Sequence, residues 1–285
     1  MATDHAGAWN DIFPEWDYRF QNSGTPTPNI GTGGQSLVIG AGSPSFQDGG
    51  LGAGPTSTTY CVSFDGTADK VENDGVDNLP GQTATEGAVA VIFKGPTDSS
   101  KRSLWQMLDN ASPFEKFEMY KRREDADPAL SGILLFRFQD NVSDSYWWIH
   151  DRDAAGYIDP FDDNWHIAVV RQKADGSTGL ELWVDGQSQT IYPLGANGPG
   201  YTTDWWMSSN FDASSSATEY TVGGNTESSV SNWHGEIAGF GVATTAPSDA
   251  QIIQMAEDFE FDTGGAKFTV KTRRNANRHM VYDYT

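Results

Sequence analysis

The chain has 285 residues and a formal net charge of −21, from 18 basic and 39 acidic residues. This length allows a substantial core in one large β domain or two small ones, and the negative charge argues against nucleic acid, whose binding depends on neutralising phosphates. The single cysteine, Cys61, excludes an intramolecular disulfide, and no stretch approaches the roughly 20 apolar residues that a membrane-spanning helix needs.

Residues 1–14 are predicted to form an N-terminal arm. Trp9, Ile12 and Phe13 are apolar but follow no clear period. Two alternatives stay open for them: a disordered terminus, and a segment that docks on a neighbouring subunit.

Residues 15–262 are predicted to form one β domain. Short apolar or alternating stretches are separated by turns rich in Gly, Pro and Asn, as is typical of strands. These stretches predict strands at residues 15–20, 37–39, 59–64, 87–94, 102–108, 115–121, 133–139 and 145–150. Residues 40–58 are predicted to form a long loop, and residues 70–86 a polar connection.

The stretch from Asp162 to Ile191 predicts the centre of the domain. Residues 165–170 are apolar on both sides of an extended run, which predicts a strand covered on both faces. Residues 180–184 predict a second strand, Asp185-Gly186 a tight hairpin turn, and residues 187–192 a third strand.

The end of the domain is predicted to close with two strands and a helix. The strands cover residues 219–222 and 236–242, and the helix runs from Ser248 to Phe259. Ser248 and Gln251 have the spacing of a capping box at its start.

Residues 263–285 differ in charge from the rest of the chain. They contain five basic residues and one acidic residue, Asp283, which gives a net charge of +4 (5 − 1). A basic tail on an acidic body predicts an arm that docks on a neighbouring acidic subunit. The docking candidates are Lys267, Phe268, Val270, Lys271, Arg273, Arg274 and Arg278. A solvated tail is the alternative, and nucleic-acid binding ranks third.

Four landmarks together resemble one family. They are Val62–Gly66 (VSFDG), Trp165-His166 with a hairpin ending Leu182–Gly186 (LWVDG), Tyr220–Gly224 (YTVGG) and Trp233–Val242 (WHGEIAGFGV). In this order they resemble a laminin-G-like domain of the concanavalin A-like lectin and glucanase superfamily, over roughly residues 16–261. The resemblance implies an all-β fold: a two-sheet antiparallel β-sandwich of jelly-roll type, with one short C-terminal helix and terminal arms.

The resemblance alone does not imply catalysis. Glucanases of this superfamily carry an E-x-D-x-x-E strand motif, which this sequence lacks. The nearest acidic stretch, residues 257–262, is predicted to be a solvated helix end, and His166 and His234 are predicted to be structural. We therefore expect that the protein is not an enzyme.

Two kinds of binding site remain open. Glycan binding needs an exposed aromatic platform beside polar groups. The glycan-binding candidates are Trp147, Trp148, Asp204, Trp205, Trp206 and Asn210, with core or subunit packing as the alternative. Many laminin-G-like domains bind Ca²⁺, and Asp159, Asp162, Asp163 and Asn164 crowd one loop, for which a solvated turn is the alternative. No other cofactor is expected.

The cellular location is predicted from the lack of a recognisable secretion signal. Laminin-G-like domains are usually extracellular, yet the first residues lack the apolar core of a secretion signal. A phage or virus particle reconciles the two, because its proteins are made in the host cytoplasm and end up on the virion surface. The first hypothesis is a non-enzymatic structural or decoration protein of a capsid or tail, docked on other virion subunits as a homo-oligomer such as a trimer. The second is a glycan-binding adhesion module, on a virion or otherwise extracellular, and the third is a glycoside hydrolase.

Overall fold

The computed structural model describes most of the predicted domain. The described residues are 9, 12–13, 16–19, 37–48, 60–73, 86–95, 100, 102–109, 115–122, 133–139, 145–173, 180–194, 218–224, 232–262 and 267–270. Among them, no helix is both long and apolar enough to cross a membrane.

Two eight-stranded antiparallel sheets form a sandwich, which confirms the predicted fold class. The first sheet contains β1 (Trp16–Arg19), β3 (Ser45–Asp48), β4 (Tyr60–Asp65), β6 (Gly87–Lys94), β11 (Trp165–Gln172), β12 (Leu180–Val184), β13 (Gln187–Gln189) and β16 (His234–Ala243). Its order is β13-β12-β11-β6-β16-β4-β3. Strand β16 pairs with β4 through its first half and with β1 through its second half.

The second sheet has the order β14-β10-β9-β8-β7-β15-β5-β2. Its strands are β2 (Leu37–Ala41), β5 (Lys70–Asn73), β7 (Arg102–Asp109), β8 (Glu115–Lys121), β9 (Leu134–Gln139), β10 (Ser145–His150), β14 (Ile191–Leu194) and β15 (Thr218–Val222). Two predictions fail here, because β3 lies in the predicted loop at 40–58 and β5 in the predicted connection at 70–86.

The main core lies between the two sheets. Phe93, Trp105, Phe117 and Phe240 are all buried there. The outer face of the first sheet is covered as well, by the N-terminal segment and helix α1 (Asp249–Asp258). Every residue of β11 is therefore buried, as predicted for a strand covered on both faces.

Helix α1 is fixed to the first sheet by a capping box and a buried arginine. Gln251 accepts hydrogen bonds from the backbone N–H and the hydroxyl of Ser248, at 2.9 and 2.8 Å, as predicted. Arg171 of β11 is 1 % exposed, donates to Glu181 and Asp249, and lies 5.0 Å from the ring centre of Trp183. Because Asp249 is the first residue of α1, this ion pair ties the helix to the sheet.

The chain passes directly between the sheets at both lateral edges. Residues 187–192, predicted to be one strand, form β13 of the first sheet and the start of β14 of the second, joined by Thr190 alone. The buried Gln189 holds this crossing, because its Oε1 accepts hydrogen bonds from His150 Nε2 and Ile158 N, each at 3.0 Å. At the opposite edges, residues 42–44 connect β2 to β3.

The apolar residues of the predicted N-terminal arm lie against their own sheet. Trp9, Ile12 and Phe13 are buried on the outer face of the first sheet, and the rings of Trp9 and Phe13 are 4.6 Å apart. A Cβ added at Gly241 would lie 2.7 Å from Phe13 Cγ, so the glycine permits this close approach.

The C-terminal residues that can be described form a hairpin within the chain. Strand β17 (Phe259–Asp262) pairs with β18 (Lys267–Val270), so the acidic stretch predicted as a helix end is partly a strand. Of the docking candidates, Lys267, Phe268 and Val270 belong to β18. Lys271, Arg273, Arg274 and Arg278 lie outside the described residues.

Candidate functional site

A cleft of about 760 Å³ lies where β3, β4, β6 and β16 reach one end of the first sheet. Its lining is mostly polar. The lining residues are Ser43, Ser45, Ser63, Phe64, Asp65, Asp69, Lys94, Gly95, Asp163, His234, Gly235 and Glu236.

The strand register aligns four polar residues in one row across the sheet. Ser45 lies opposite Ser63, Ser63 opposite Glu236, and Glu236 opposite Lys94. Residues directly opposite each other in antiparallel strands present their side chains to the same face. The next residue along β16, Ile237, belongs to the core between the sheets, so the polar row faces outward.

The cleft begins where the apolar cover of the first sheet ends. Cys61, Ala238 and Ile92 follow the polar row towards the middle of the same face, and all three are buried in the cluster beneath α1 and the N-terminal segment. The outer face of this sheet is thus apolar where it is covered and polar where it is open.

The rim of the cleft is held by Asp69 and Arg102. Asp69 is 4 % exposed and accepts hydrogen bonds from the backbone N–H groups of Ser43 at 2.7 Å and Asp65 at 2.9 Å. Arg102 reaches from the second sheet and donates to the carbonyl oxygens of Gly66 and Asn232, at 2.9 and 3.1 Å. These bonds fix the turn after β4 against the residues that precede β16.

Two glycines in the cleft lining allow close packing beneath it. A Cβ at Gly235, whose φ is +148°, would lie 2.4 Å from the carbonyl oxygen of Lys94. A Cβ at Gly95 would lie 2.9 Å from the ring of Phe161 and 3.1 Å from that of Trp233. Both positions are therefore restricted to glycine by close packing against backbone and aromatic rings.

The central charged residues of the cleft are Glu236, Lys94 and Asp163. Burial raises the pKa of Glu236, Lys94 opposes this rise, and the charge of Asp163 adds to it. Lys94 Nζ lies 3.8 Å from Asp163 Oδ1. The ammonium group thus lies beside Asp163, and the charge of Lys94 acts on Glu236 from the neighbouring strand.

The turn that carries Asp163 is anchored by His166. The imidazole lies between two carboxylates, with Nδ1 2.7 Å from Asp185 Oδ2 and Nε2 2.9 Å from Asp162 Oδ1. Since both ring nitrogens face oxygens that can only accept, both donate, as in the imidazolium form. Burial alone would lower the pKa of His166, but hydrogen bonds and the charges of Asp185 and Asp162 raise it above its usual value.

The same bonds argue against calcium in this loop. Asp162 accepts hydrogen bonds from His166 and from both the backbone and side-chain amides of Asn164, and Asp159 accepts one from Phe161 N. Ca²⁺ requires six to eight free oxygen ligands. Within the described part of the chain, no group of three His, Cys, Asp or Glu residues is placed to hold a metal ion, so these residues do not fit the predicted ion.

Of the glycan-binding candidates from the sequence, the structure describes Trp147 and Trp148, in strand β10 of the second sheet. Trp148 is half-buried and packs against the main core, and Trp147 belongs to β10. Asp204, Trp205, Trp206 and Asn210 lie outside the described residues.

Half of the lining residues lie in two of the sequence landmarks: Ser63, Phe64 and Asp65 in Val62–Gly66, and His234, Gly235 and Glu236 in Trp233–Val242. His166 and His234 were predicted alike, but His166 is buried whereas His234 is exposed in the cleft. The signal missed was a polar residue at one outward position near the end of an otherwise apolar strand: Ser63 between Val62 and Phe64, and Glu236 before Ile237.

Comparisons with known proteins identify the fold. No protein-family model matches the sequence, and no curated protein is significantly similar to it. One similar solved structure is domain 4 of AbnA, a GH43 extracellular arabinanase from Geobacillus stearothermophilus, in complex with arabinotriose. It is 13% identical over 85% of this chain and 97% of that chain, with a TM-score of 0.52.

Two neurotoxin domains are similar to the same extent. The receptor binding domain of the botulinum neurotoxin C/D mosaic serotype is 12% identical over 87% of this chain and 51% of that chain, with a TM-score of 0.54. The botulinum neurotoxin serotype D ligand binding domain in complex with N-acetylneuraminic acid is 11% identical over 89% and 52%, with a TM-score of 0.52. The chain thus spans about half the length of these neurotoxin chains, and the likeness at such low identity is one of fold.

Proposed function

We propose that this protein binds carbohydrate without transforming it, and that the ligand occupies the cleft lined by Ser45, Ser63, Glu236 and Lys94. The observation that carries the proposal is the row of hydroxyl, carboxylate and ammonium groups on an open sheet face. Carboxylates and serines accept hydrogen bonds from sugar hydroxyls, and the ammonium group and serines donate to them.

The dimensions of the row support an oligosaccharide rather than a single small ion. Neighbouring strands lie about 4.8 Å apart, so four strands place the row along about 14 Å. The side chains stand on paired strands, which fixes their spacing before the ligand arrives and lowers the entropic cost of binding. A further support is the arabinanase domain of the same fold, which is complexed with arabinotriose.

The test is to fill the cleft. Ser63 is half-exposed in the middle of the row, so Ser63→Trp places an indole over its neighbours and should weaken glycan binding at least about tenfold. Ser188→Trp is the matched control, because Ser188 is an exposed serine on β13 of the same sheet that does not line the cleft. Binding would be measured on a glycan array and by calorimetry with the strongest hits.

Two results would contradict the proposal. One is unchanged glycan binding by the Ser63→Trp variant. This result counts when both variants, Ser63→Trp and Ser188→Trp, unfold at the same urea concentration as the parent protein. The other is release of shorter sugars from a bound oligosaccharide, since that would replace binding with hydrolysis as the function.

The virion setting stays a prediction. We propose that the domain is displayed on a phage or virus particle through residues 263–285, on the ground of their opposite charge. Deleting these residues should prevent incorporation into particles while the sandwich still unfolds cooperatively. Normal incorporation of the shortened chain would refute this role of the tail.

A further inference from the structure

The charges around the cleft favour one class of saccharide over another. We propose that the cleft accepts uncharged or amino saccharides and rejects saccharides that carry carboxylate or sulfate groups. This inference rests on the proposed function, and it adds a rule of selectivity that fold similarity does not provide.

The first support is the balance of charge in the lining. Four carboxylates, on Asp65, Asp69, Asp163 and Glu236, line the cleft, and among the described lining residues Lys94 is the one lysine or arginine. The guanidinium of Arg102 lies behind the rim, where it donates to the backbone carbonyls of Gly66 and Asn232. Asp69 is turned towards backbone N–H groups, but it keeps its charge close to the rim.

The second support is the position of that one ammonium group. Lys94 Nζ lies 3.8 Å from Asp163, and Lys94 stands directly opposite Glu236 on the neighbouring strand. An anionic sugar that approaches Lys94 therefore also meets the carboxylate of Asp163, and Glu236 adds a second negative charge from the neighbouring strand. An uncharged hydroxyl meets no such repulsion, and for a protonated amine the attraction of the carboxylates opposes the repulsion of Lys94.

The third support is the exposure of the acids at the mouth. The side chain of Asp163 is 71% exposed, and Asp65 is also exposed. In bulk water, a carboxylate about 5 Å from an anionic group weakens its binding about fourfold, so two of them weaken it more than tenfold. The net charge of −21 on the whole chain acts in the same direction at longer range.

The experiment compares glycans that share a core and differ in charge. A glycan array would be read at low salt, where the charges of the cleft are least screened. Each uncharged glycan that binds is then compared by calorimetry with its sialylated, sulfated or uronic-acid derivative. Lactose against 3′-sialyllactose, and chitotetraose against its deacetylated form, are two such sets. We expect the anionic partner to bind at least about tenfold more weakly, and the amino partner at least as tightly as the uncharged one.

Variants connect the selectivity to the named acids. Asp163→Asn combined with Glu236→Gln removes two negative charges, and asparagine suits the φ of +67° at position 163. The ratio of uncharged to anionic affinity should fall towards one in this double variant. It should not change in Asp153→Asn, which removes an exposed carboxylate that does not line the cleft. The measured quantity is the ratio of uncharged to anionic affinity and not either affinity alone, because both substitutions also alter hydrogen bonds to any sugar.

The outcomes separate this inference from the proposed function. Anionic glycans that bind as tightly as their uncharged partners, with binding lost in Ser63→Trp, overturn the charge rule and leave carbohydrate binding in place. A selectivity ratio that stays the same in the double variant overturns the role of Asp163 and Glu236. Binding of no saccharide at any charge overturns both proposals.

Discussion

Replacing Phe13 by alanine should destabilise the whole sandwich, because the N-terminal segment forms part of its second apolar layer. Phe13 is fully buried, packs against Trp9 and contacts the first sheet at Gly241. Fully buried phenylalanine-to-alanine changes cost about 3–5 kcal/mol, and a value near 3 is expected for a segment that can partly close the cavity. That is a large share of the 5–15 kcal/mol typical of a whole domain.

The measurement is urea denaturation followed by tryptophan fluorescence, and a second variant makes it specific. Gly241→Ala places a Cβ 2.7 Å from Phe13 Cγ and should destabilise the parent protein, but it should cost much less in the Phe13→Ala background. A coupling free energy of about 1–3 kcal/mol is expected for two residues in direct contact. A loss below about 1 kcal/mol for Phe13→Ala, with additive effects in the double variant, would refute the packing of this segment on the sheet.

Two further predictions concern buried charges. The raised pKa of His166 stabilises the fold fully below about pH 6.5, the pKa of an unfolded histidine, and this contribution is lost as pH rises through the folded pKa. The free energy of unfolding should therefore decline above pH 6.5 in the parent protein and not in His166→Gln. Parallel plots of unfolding free energy against pH for the two proteins would refute a charged His166 between Asp162 and Asp185. Arg171→Met should lower the free energy of unfolding by about 2 kcal/mol, because it leaves Glu181 and Asp249 without their buried partner. The matched control is Lys173→Met, in the same network but one third exposed, which should cost about 0.5 kcal/mol or less. Both losses would be measured by urea denaturation. Equal losses for the two variants would contradict a special role of the buried guanidinium.

The central strands could be predicted from the sequence because both of their faces are covered. Strands β6 and β8 have the predicted bounds, since burial imposes a continuous or alternating apolar pattern. Strand β3, at the edge of the first sheet, and strand β5, next to the edge of the second, read SFQD and KVEN. One apolar residue in each leaves little pattern to detect, and their extended form comes mainly from pairing with a neighbour.

The cleft was harder to predict than the fold because its residues are far apart in the chain. Ser45, Ser63, Lys94 and Glu236 become neighbours only through strand register, and a shift of one residue would turn each side chain to the other face. Paired tryptophans such as Trp205-Trp206, by contrast, are adjacent in the sequence and easy to recognise there. A site made of one polar residue from each of four strands has no local signature.

The two crossings between the sheets have a consequence for how copies of this protein meet. The four outermost strands have only three to five residues each, and the chain ties them together in pairs at Thr190 and at residues 42–44. Short, closed flanks are poor templates for adding a strand from a second molecule, which is how many β proteins begin to form fibrils. At these two flanks, this route to aggregation is therefore disfavoured.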